Sequence, residues 1–242
     1  MKRQLLKMQI LRFVAEQGIV RVRDVMDYFR KWKSAHSVRV TMNDLGITHQ
    51  PYGGYKYGVW FIEDKKVFER LKPFYDDIPS FKVRGKSLLV KVQHSLGMNH
   101  IRAVLKNSEK IRIVKWWSEE CLRALPVFSR DGISMHKIPD AIFWHLRKDG
   151  SKQKFFLEYE RSLKAPKRYS QIFQFYDKRH DVKNNNVIYI CETDFIKMKL
   201  ERIESDLVKG GKLKGSGVNF NFVTLDEFNK AYALSEKGAN GD

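Results

Sequence analysis

The sequence is poor in cysteine, in long apolar runs and in negative charge. Of 242 residues only Cys121 and Cys191 are cysteines, too few for a disulfide framework or a cysteine metal knot, so a reducing cytoplasm is expected. No apolar run reaches about 18 residues, which predicts no membrane span. The basic start is interrupted by Arg12 and Glu16, and no small-residue cleavage site follows, which argues against a signal peptide.

Positive charge dominates what is present. Lys and Arg total 46 against 28 Asp and Glu, a formal charge of +18. Both the first 80 residues and the remainder are basic, so the charge is not a detachable tail. Such an excess attracts the phosphates of nucleic acid. A protein that is merely basic is the alternative, and a membrane-surface role is disfavoured because the charge is not gathered on one amphipathic helix.

The first 60 residues predict three helices and a hairpin. Apolar residues recur at helical spacing in three groups: Leu6, Ile10, Phe13 and Val14; Val22, Val25, Met26 and Phe29; and Val38, Met42 and Leu45. Gly18 and Gly46 end the first and third helices, and Ser34 is expected to cap the third. The stretch "ITHQPYGGYKYGVWFI" then predicts two strands around a Gly-Gly turn. This order predicts a winged helix-turn-helix domain over residues 1–80.

In a winged helix-turn-helix domain the third helix enters a major groove and the wing touches the DNA backbone. The expected DNA-binding residues in this domain are Ser37, Arg39, Thr41 and Asn43 on the third helix and Lys56 at the wing. Small domains of this layout also bind proteins, and that alternative stays open.

Residues 81–233 predict a domain of mixed α/β character, and residues 234–242 a flexible tail. Strands are expected in "IRIVKWW", "KIPDAIFWHL", "KFFLEYERS", "NVIYICET" and "GVNFNFVTL", with helices opening at Ser118, after Ala165 and near Asp194. The fold class is therefore α/β, of the α+β kind.

Three acids stand among apolar residues of this second domain. Glu158 and Glu160 are two apart on one strand and share a face, and Asp140 begins the neighbouring strand. Glu119, at the start of a preceding helix, could supply a fourth oxygen. Converging carboxylates predict a hard cation, Mg²⁺ or Mn²⁺. The alternative places both glutamates on the wet face of an edge strand, paired with nearby lysine or arginine.

The stretch "PDAIF…FFLEYERSLKAPKRYSQIFQFY", preceded by "WWSEECLR" and "HSLGMNHIRAVL", resembles the replication-relaxation family of plasmid and mobile-element proteins. Its MobC-type plasmid mobilisation relaxases combine a winged helix with a core related to PD-(D/E)XK restriction endonucleases. The resemblance covers roughly residues 1–195. It implies a cytoplasmic protein of conjugation that nicks one strand of double-stranded DNA at a transfer origin, with a relaxosome accessory or coupling protein as a further partner.

Carried over by residue, the resemblance makes Asp140 the acid of the PD half-motif and Glu158 that of the (D/E)XK half. Glu119 matches the acid of the leading helix. Position 160 departs from the family, because glutamate stands where a nuclease of this fold has lysine, and Lys164 is expected to replace that lysine.

The predicted catalytic residues are therefore Asp140, Glu158, Glu160 and Lys164, with Lys167 and Arg168 as further DNA contacts. A metal-activated water is the expected nucleophile, and Tyr169 and Tyr176 remain alternatives. The competing function is a non-catalytic accessory protein or transcriptional regulator that binds a promoter and uses the core as a platform or for homodimerisation.

Overall fold

The chain has a mixed α/β structure with a small three-stranded sheet and a larger five-stranded one, which confirms the predicted fold class. The computed structural model describes residues 2–32, 34–55, 57–74, 89, 91–124, 137–178, 186–213 and 217–232. Two compact units are present. The first comprises residues 1–103 with 117–132, and the second residues 104–116 with 133–242.

The first unit begins with helices and a short-stranded sheet. Its elements are α1 (Lys2–Gln17), β1 (Ile19–Val20), α2 (Val22–Phe29), α3 (Ala35–Asp44), β2 (Thr48–Gln50), β3 (Val59–Phe61), α4 (Lys65–Glu69) and a 3₁₀ turn (Lys72–Phe74). The three strands lie in the order β1-β3-β2, with both neighbours of β3 antiparallel to it. The predicted boundary at residue 80 lies outside the described residues. The first unit also takes in most of α5 (Val92–Asn107) and all of α6 (Glu119–Ala124).

Helix α3 is positioned by a cap and by its apolar residues. Ser34 precedes it, and its hydroxyl accepts a hydrogen bond from the backbone N–H of Ser37 at 3.5 Å. Val38 and Met42 are buried against α1 and α2, as their helical spacing predicts. Thr41 is buried with them, which conflicts with its prediction as a DNA-binding residue. It follows Val38 by three residues, which places it on the same side of the helix.

The turn between β2 and β3 requires glycine at position 58. Gly58 has φ +57°, and a Cβ there would lie 2.4 Å from the carbonyl oxygen of Gln50. We expect Gly58→Ala to lower the free energy of unfolding by about 2 kcal/mol or more, because strain and a backbone clash add together. Urea denaturation measures this loss.

The matched control is Gly53→Ala in the same hairpin. An added Cβ at Gly53 meets no atom within 4 Å, so this change should stay within about 0.5 kcal/mol of the parent. Equal stability of the two variants would contradict the account of Gly58.

The second unit is built on the larger sheet. It contains β4 (Ile113–Ser118) up to Trp116, and then β5 (Ala141–Leu146), β6 (Lys152–Glu160), α7 (Pro166–Lys178), β7 (Asn186–Cys191), α8 (Asp194–Lys209), β8 (Asn219–Thr224) and α9 (Leu225–Tyr232). The strand order is β4-β5-β6-β7-β8. Strands β5 and β6 are antiparallel, whereas β6, β7 and β8 are mutually parallel.

Helix α7 packs its aromatic residues on this sheet. Tyr176 makes an edge contact with Phe156 of β6, with ring centroids 5.8 Å apart, and Phe173 makes one with Tyr189 of β7 at 5.5 Å. Tyr169, Phe173 and Tyr176 are all fully buried. The packing therefore holds two tyrosine hydroxyls of α7 over the strand that carries Glu158 and Glu160.

The helix predicted to open at Ser118 is present: Ser118 ends β4, the helix starts at Glu119, and the Ser118 hydroxyl accepts a hydrogen bond from the N–H of Cys121 at 3.4 Å. Two other local predictions need correction. The cap of α8 is Thr193, whose hydroxyl accepts from the N–H of Ile196, while Asp194 is the first helical residue. Helix α9 was not predicted at all.

Among the described residues, no helix has the length and apolarity needed to cross a membrane.

Candidate functional sites

Glu158 and Glu160 lie at the end of an interior strand. Strand β6 is flanked by β5 and β7, and Glu158 is fully buried while Glu160 is 3% exposed. The alternative that both acids line the wet face of an edge strand is therefore wrong. The alternation of residues could not reveal this, because an E-x-E pattern looks the same on an edge strand and on an interior one.

A lysine and a tyrosine hold the carboxylate of Glu158. Lys137 Nζ lies 2.6 Å from Oε2, and the Tyr176 hydroxyl donates a hydrogen bond to Oε1. Burial raises the pKa of Glu158 to about 7, the negative charge of Asp140 adds to the rise, and Lys137 and Tyr176 oppose it. Near neutral pH this carboxyl is therefore close to half protonated.

Glu160 has a similar pair of partners. Lys164 Nζ forms an ion pair with Oε1, and the Tyr169 hydroxyl donates to Oε2 at 3.2 Å. Lys164 lies in the loop after β6, and the structure brings its ammonium to Glu160, a pairing that was not predicted. Both glutamates contact residues of α7, and they therefore share a face of the sheet.

Asp140 joins the same region through the backbone. Its Oδ2 accepts a hydrogen bond from the N–H of Tyr159 at 2.8 Å, just beyond the last ladder pair of Ala141 with Leu157.

Lys137 stands among these acids. Burial lowers its pKa, but the charges of Glu158 and Asp140 outweigh burial and leave that pKa raised. We call Lys137, Asp140, Glu158, Glu160 and Lys164 the acid–lysine cluster.

Glu119 belongs to the first unit and has its own cations. Lys91 Nζ donates to both carboxylate oxygens, at 2.9 and 3.1 Å, and Arg123 Nε donates to Oε1 at 3.0 Å. Burial acts to raise the pKa of Glu119, but these two cations outweigh it and lower that pKa. In the described arrangement this acid is a member of a surface ion-pair group.

The acid–lysine cluster combines oxygen ligands with two ammonium groups. Carboxylate oxygens suit Mg²⁺ or Mn²⁺ by their chemistry. However, Lys137 and Lys164 already supply positive charge to Glu158 and Glu160. No group of three or more His, Cys, Asp or Glu residues is placed to hold a metal within the part of the chain that the structure describes. As described, the two glutamates therefore have lysine ammonium groups as their positive partners.

The tyrosines near the cluster are not set up as nucleophiles. Tyr169 and Tyr176 are fully buried and donate to carboxylates, and burial together with those neighbouring acids raises the pKa of both phenols. The Tyr159 hydroxyl donates to Glu192, away from the cluster. A phenol with a raised pKa is a poor nucleophile at neutral pH.

Sequence reasoning missed Lys137 as the partner of Glu158. The residue stands three positions before Asp140 in "KIPD", and a lysine beside an acidic motif is a usable signal. The role of Tyr169 and Tyr176 as partners of the acids was also missed. They are seven residues apart on one amphipathic helix, which places them on the same helix face.

A second candidate site lies within the first unit. A cleft of 740 Å³ separates α3 from the β2–β3 hairpin; we call it the helix–hairpin cleft. Its lining residues are His36, Arg39, Val40 and Asn43 of α3, and His49, Pro51, Tyr52, Gly53, Gly54, Tyr55, Tyr57, Gly58 and Trp60 of the hairpin. No acid is among these described residues, so the lining is aromatic and basic.

Aromatic contacts order the walls of the cleft. The guanidinium carbon of Arg39 lies 4.8 Å from the centre of the Tyr57 ring, and the His49 and Trp60 rings are 4.8 Å apart. The Tyr52 and Tyr55 rings stack at 5.9 Å. These planar groups are held before any ligand arrives.

The predicted DNA-binding residues have different fates. Arg39 and Asn43 line the helix–hairpin cleft, and Ser37 is half-buried near the start of α3. Thr41 is buried, and Lys56 lies outside the described residues. Lys167 and Arg168 are exposed in the first turn of α7.

Comparison of the chain with models of known families, with curated proteins and with solved structures finds no match. The case for a function therefore depends on the two sites themselves.

Proposed function

We propose that this chain is a double-stranded DNA-binding protein that contacts DNA through α3 and the β2–β3 hairpin. The observation that carries the proposal is the helix–hairpin cleft, whose described lining has basic and aromatic side chains and no acid. A formal charge of +18 gives the long-range attraction to phosphates. The element order α1-β1-α2-α3-β2-β3, with β1 beside β3, supports a winged helix-turn-helix domain.

The biological setting in the proposal comes from the resemblance to the replication-relaxation family. That resemblance favours a transfer origin or a promoter of a mobile element as the DNA, and a relaxosome accessory or coupling protein as a further partner. The acid–lysine cluster is then a neutralised structural element of the second unit, in which each glutamate has a lysine beside it.

The test is fluorescence anisotropy with a labelled duplex from the element's own origin, over a range of salt. Binding through several phosphates should weaken by about 10³-fold between about 50 and about 200 mM salt. Arg39→Ala should weaken binding by about tenfold, because a charged group at the contact surface is lost.

The matched control is Arg202→Ala, which removes an arginine whose side chain is 76% exposed on α8. Its affinity should stay close to that of the parent. Binding that ignores salt, or equal affinities for the two variants, would contradict DNA contact at α3 and would favour a protein partner for this unit.

A second candidate function is metal-dependent nicking of one strand. It is favoured by the meeting of Asp140, Glu158, Glu160 and Lys164 at the end of β6, since the resemblance assigns these residues to a nuclease centre. A hard cation there would stabilise the charge that develops at a phosphate. The arrangement described above would first have to release the ammonium of Lys137 from Glu158.

A nicking assay decides between the two functions. Supercoiled DNA carrying the origin is incubated with Mg²⁺ or Mn²⁺ and with the parent, Asp140→Ala, Glu158→Ala or Glu192→Ala. Open circles from the parent and from Glu192→Ala alone would support nicking at the cluster, and denaturing gels would show whether protein stays joined to the strand. Origin binding without nicking, with the coupling protein also present, would support the non-catalytic accessory role.

A further inference from the structure

We propose that the helix–hairpin cleft binds an unpaired nucleobase of a strand that adjoins the bound duplex. This inference depends on the proposed function, because the duplex must first be held by the same unit. Contact of α3 with a major groove does not require any ligand in the cleft, so the unpaired base is an additional ligand. The protein would then recognise a junction between paired and unpaired DNA.

The size of the cleft suits a ligand of this class. Its volume of 740 Å³ lies within the range of about 300 to 1,000 Å³ that small-molecule sites occupy. The hairpin backbone is also open on one side, since a Cβ added at Gly53 or Gly54 would meet no atom within 4 Å. A nucleotide can therefore approach the hairpin backbone at these two glycines.

The lining matches the two surfaces of a nucleotide. Tyr52 offers a ring on which a base can stack, which is the usual way proteins hold single strands, whereas the Tyr55 and Tyr57 rings already contact the guanidinium groups of Arg21 and Arg39. Arg39 provides a positive charge for a phosphate, His36 and His49 add basic side chains, and no described lining residue is an acid that would repel it. A protein ligand with acidic side chains would use the charge but would leave most of the aromatic surface without a planar partner.

A base within a duplex cannot use the cleft in this way. Both of its faces are covered by the neighbouring pairs, so the aromatic rings of the cleft would have no face to stack on. An unpaired base at an overhang, a bulge or a melted step exposes these faces. The structure thus favours a base outside the stack over a paired base in the groove.

The experiment compares three labelled DNAs that share one duplex. The first is blunt, the second carries a short guanine overhang, and the third carries an abasic overhang with the same number of phosphates. At a fixed salt concentration the parent should bind the guanine overhang about tenfold more tightly than the abasic one. A 2-aminopurine in the overhang should lose fluorescence on binding, because the base stacks on a ring.

Three variants test whether the cleft causes the preference. Tyr52→Leu removes a ring and should abolish the tenfold preference, whereas Tyr52→Phe keeps the ring and should retain it. Phe74→Leu removes an aromatic residue of the same unit that is 39% exposed and outside the cleft lining, and it should behave as the parent. A urea denaturation midpoint close to that of the parent would show that each variant is folded.

The outcomes separate this inference from the proposed function. Equal affinity for the guanine and abasic overhangs, with blunt-duplex binding intact, would overturn the nucleobase site and leave duplex binding standing. A preference that survives Tyr52→Leu would overturn its assignment to this cleft. Failure of the parent to bind any of the three DNAs would overturn both proposals.

Discussion

Replacing Lys137 by methionine is expected to lower the free energy of unfolding by about 3 to 5 kcal/mol near pH 8. The Lys137 ammonium lies 2.6 Å from Oε2 of Glu158, whose side chain is fully buried. Without that ammonium, the buried carboxylate must either stay charged with no countercharge or bind a proton at pH 8, where the proton concentration is low. Urea denaturation near pH 8 measures the loss, and it should shrink near pH 5, where folded Glu158 is protonated.

Two further variants check the cause. Lys230→Met breaks an ion pair of the same 2.6 Å length with Asp226, but both side chains are about three-quarters exposed, so the loss should be below about 0.5 kcal/mol. Adding Glu158→Gln to Lys137→Met should recover most of the stability, because the uncompensated charge is then absent. A Lys137→Met variant no less stable than Lys230→Met would refute the role of Lys137 as the countercharge.

Raising the pH from about 5 to about 7 is expected to destabilise the fold through Glu158 by about 2 kcal/mol. Burial raises the pKa of this carboxyl from 4.5 to about 7. Between the two values the folded carboxyl keeps a proton that the unfolded one has released. The folded state then binds more protons, so the free energy of unfolding falls as the pH rises, and this contribution levels off once both states are ionised.

Comparison with Glu158→Gln isolates this contribution from that of other acids. Glu119, for example, has a lowered pKa, so its contribution to the free energy of unfolding increases as the pH rises through the acidic range. Lys137 stays charged throughout, since its pKa is raised. As the pH rises, the free energy of unfolding of the parent should thus fall relative to that of Glu158→Gln. A difference that is constant between about pH 5 and about pH 7 would contradict the raised pKa.

Several elements could be predicted because their signals are local. Val22, Val25 and Met26 recur at helical spacing, and α2 lies there; the Gly-Gly turn likewise falls between β2 and β3. Strand β1 was missed because a strand of two residues is too short to show an alternating pattern of apolar and polar residues. Ile19 and Val20 become a strand only by pairing with β3.

Helix α9 was missed although it carries a readable signal. Thr224 and Glu227 form a capping box, in which the threonine hydroxyl accepts from the N–H of Glu227 and the glutamate accepts from the N–H of Thr224. The apolar β-rich residues before it made "GVNFNFVTL" look like one strand through Leu225. In the structure the strand ends at Thr224, where the capping box begins.

The candidate sites were predictable only in part. The period of two on β6 places Glu158 and Glu160 on one face, whereas the ion pair of Lys164 with Glu160 has no such signal in the sequence. The sequence contains no comparable signal for the interior position of β6, because sheet order depends on pairing between distant segments. The burial that raises the pKa of Glu158 follows from that order and from α7, so it could not be anticipated.

The acid–lysine cluster divides its charges between rigid and irregular backbone. Glu158 and Glu160 belong to a strand paired on both sides, whereas Lys137 precedes β5 and Lys164 follows β6, each in a connecting segment. The two glutamates are therefore part of the scaffold, whereas Asp140 and both lysines stand in segments that connect its strands. Over evolution, a descendant of this chain can exchange its cations by substitution, insertion or deletion in two loops while the sheet and its carboxylates stay the same.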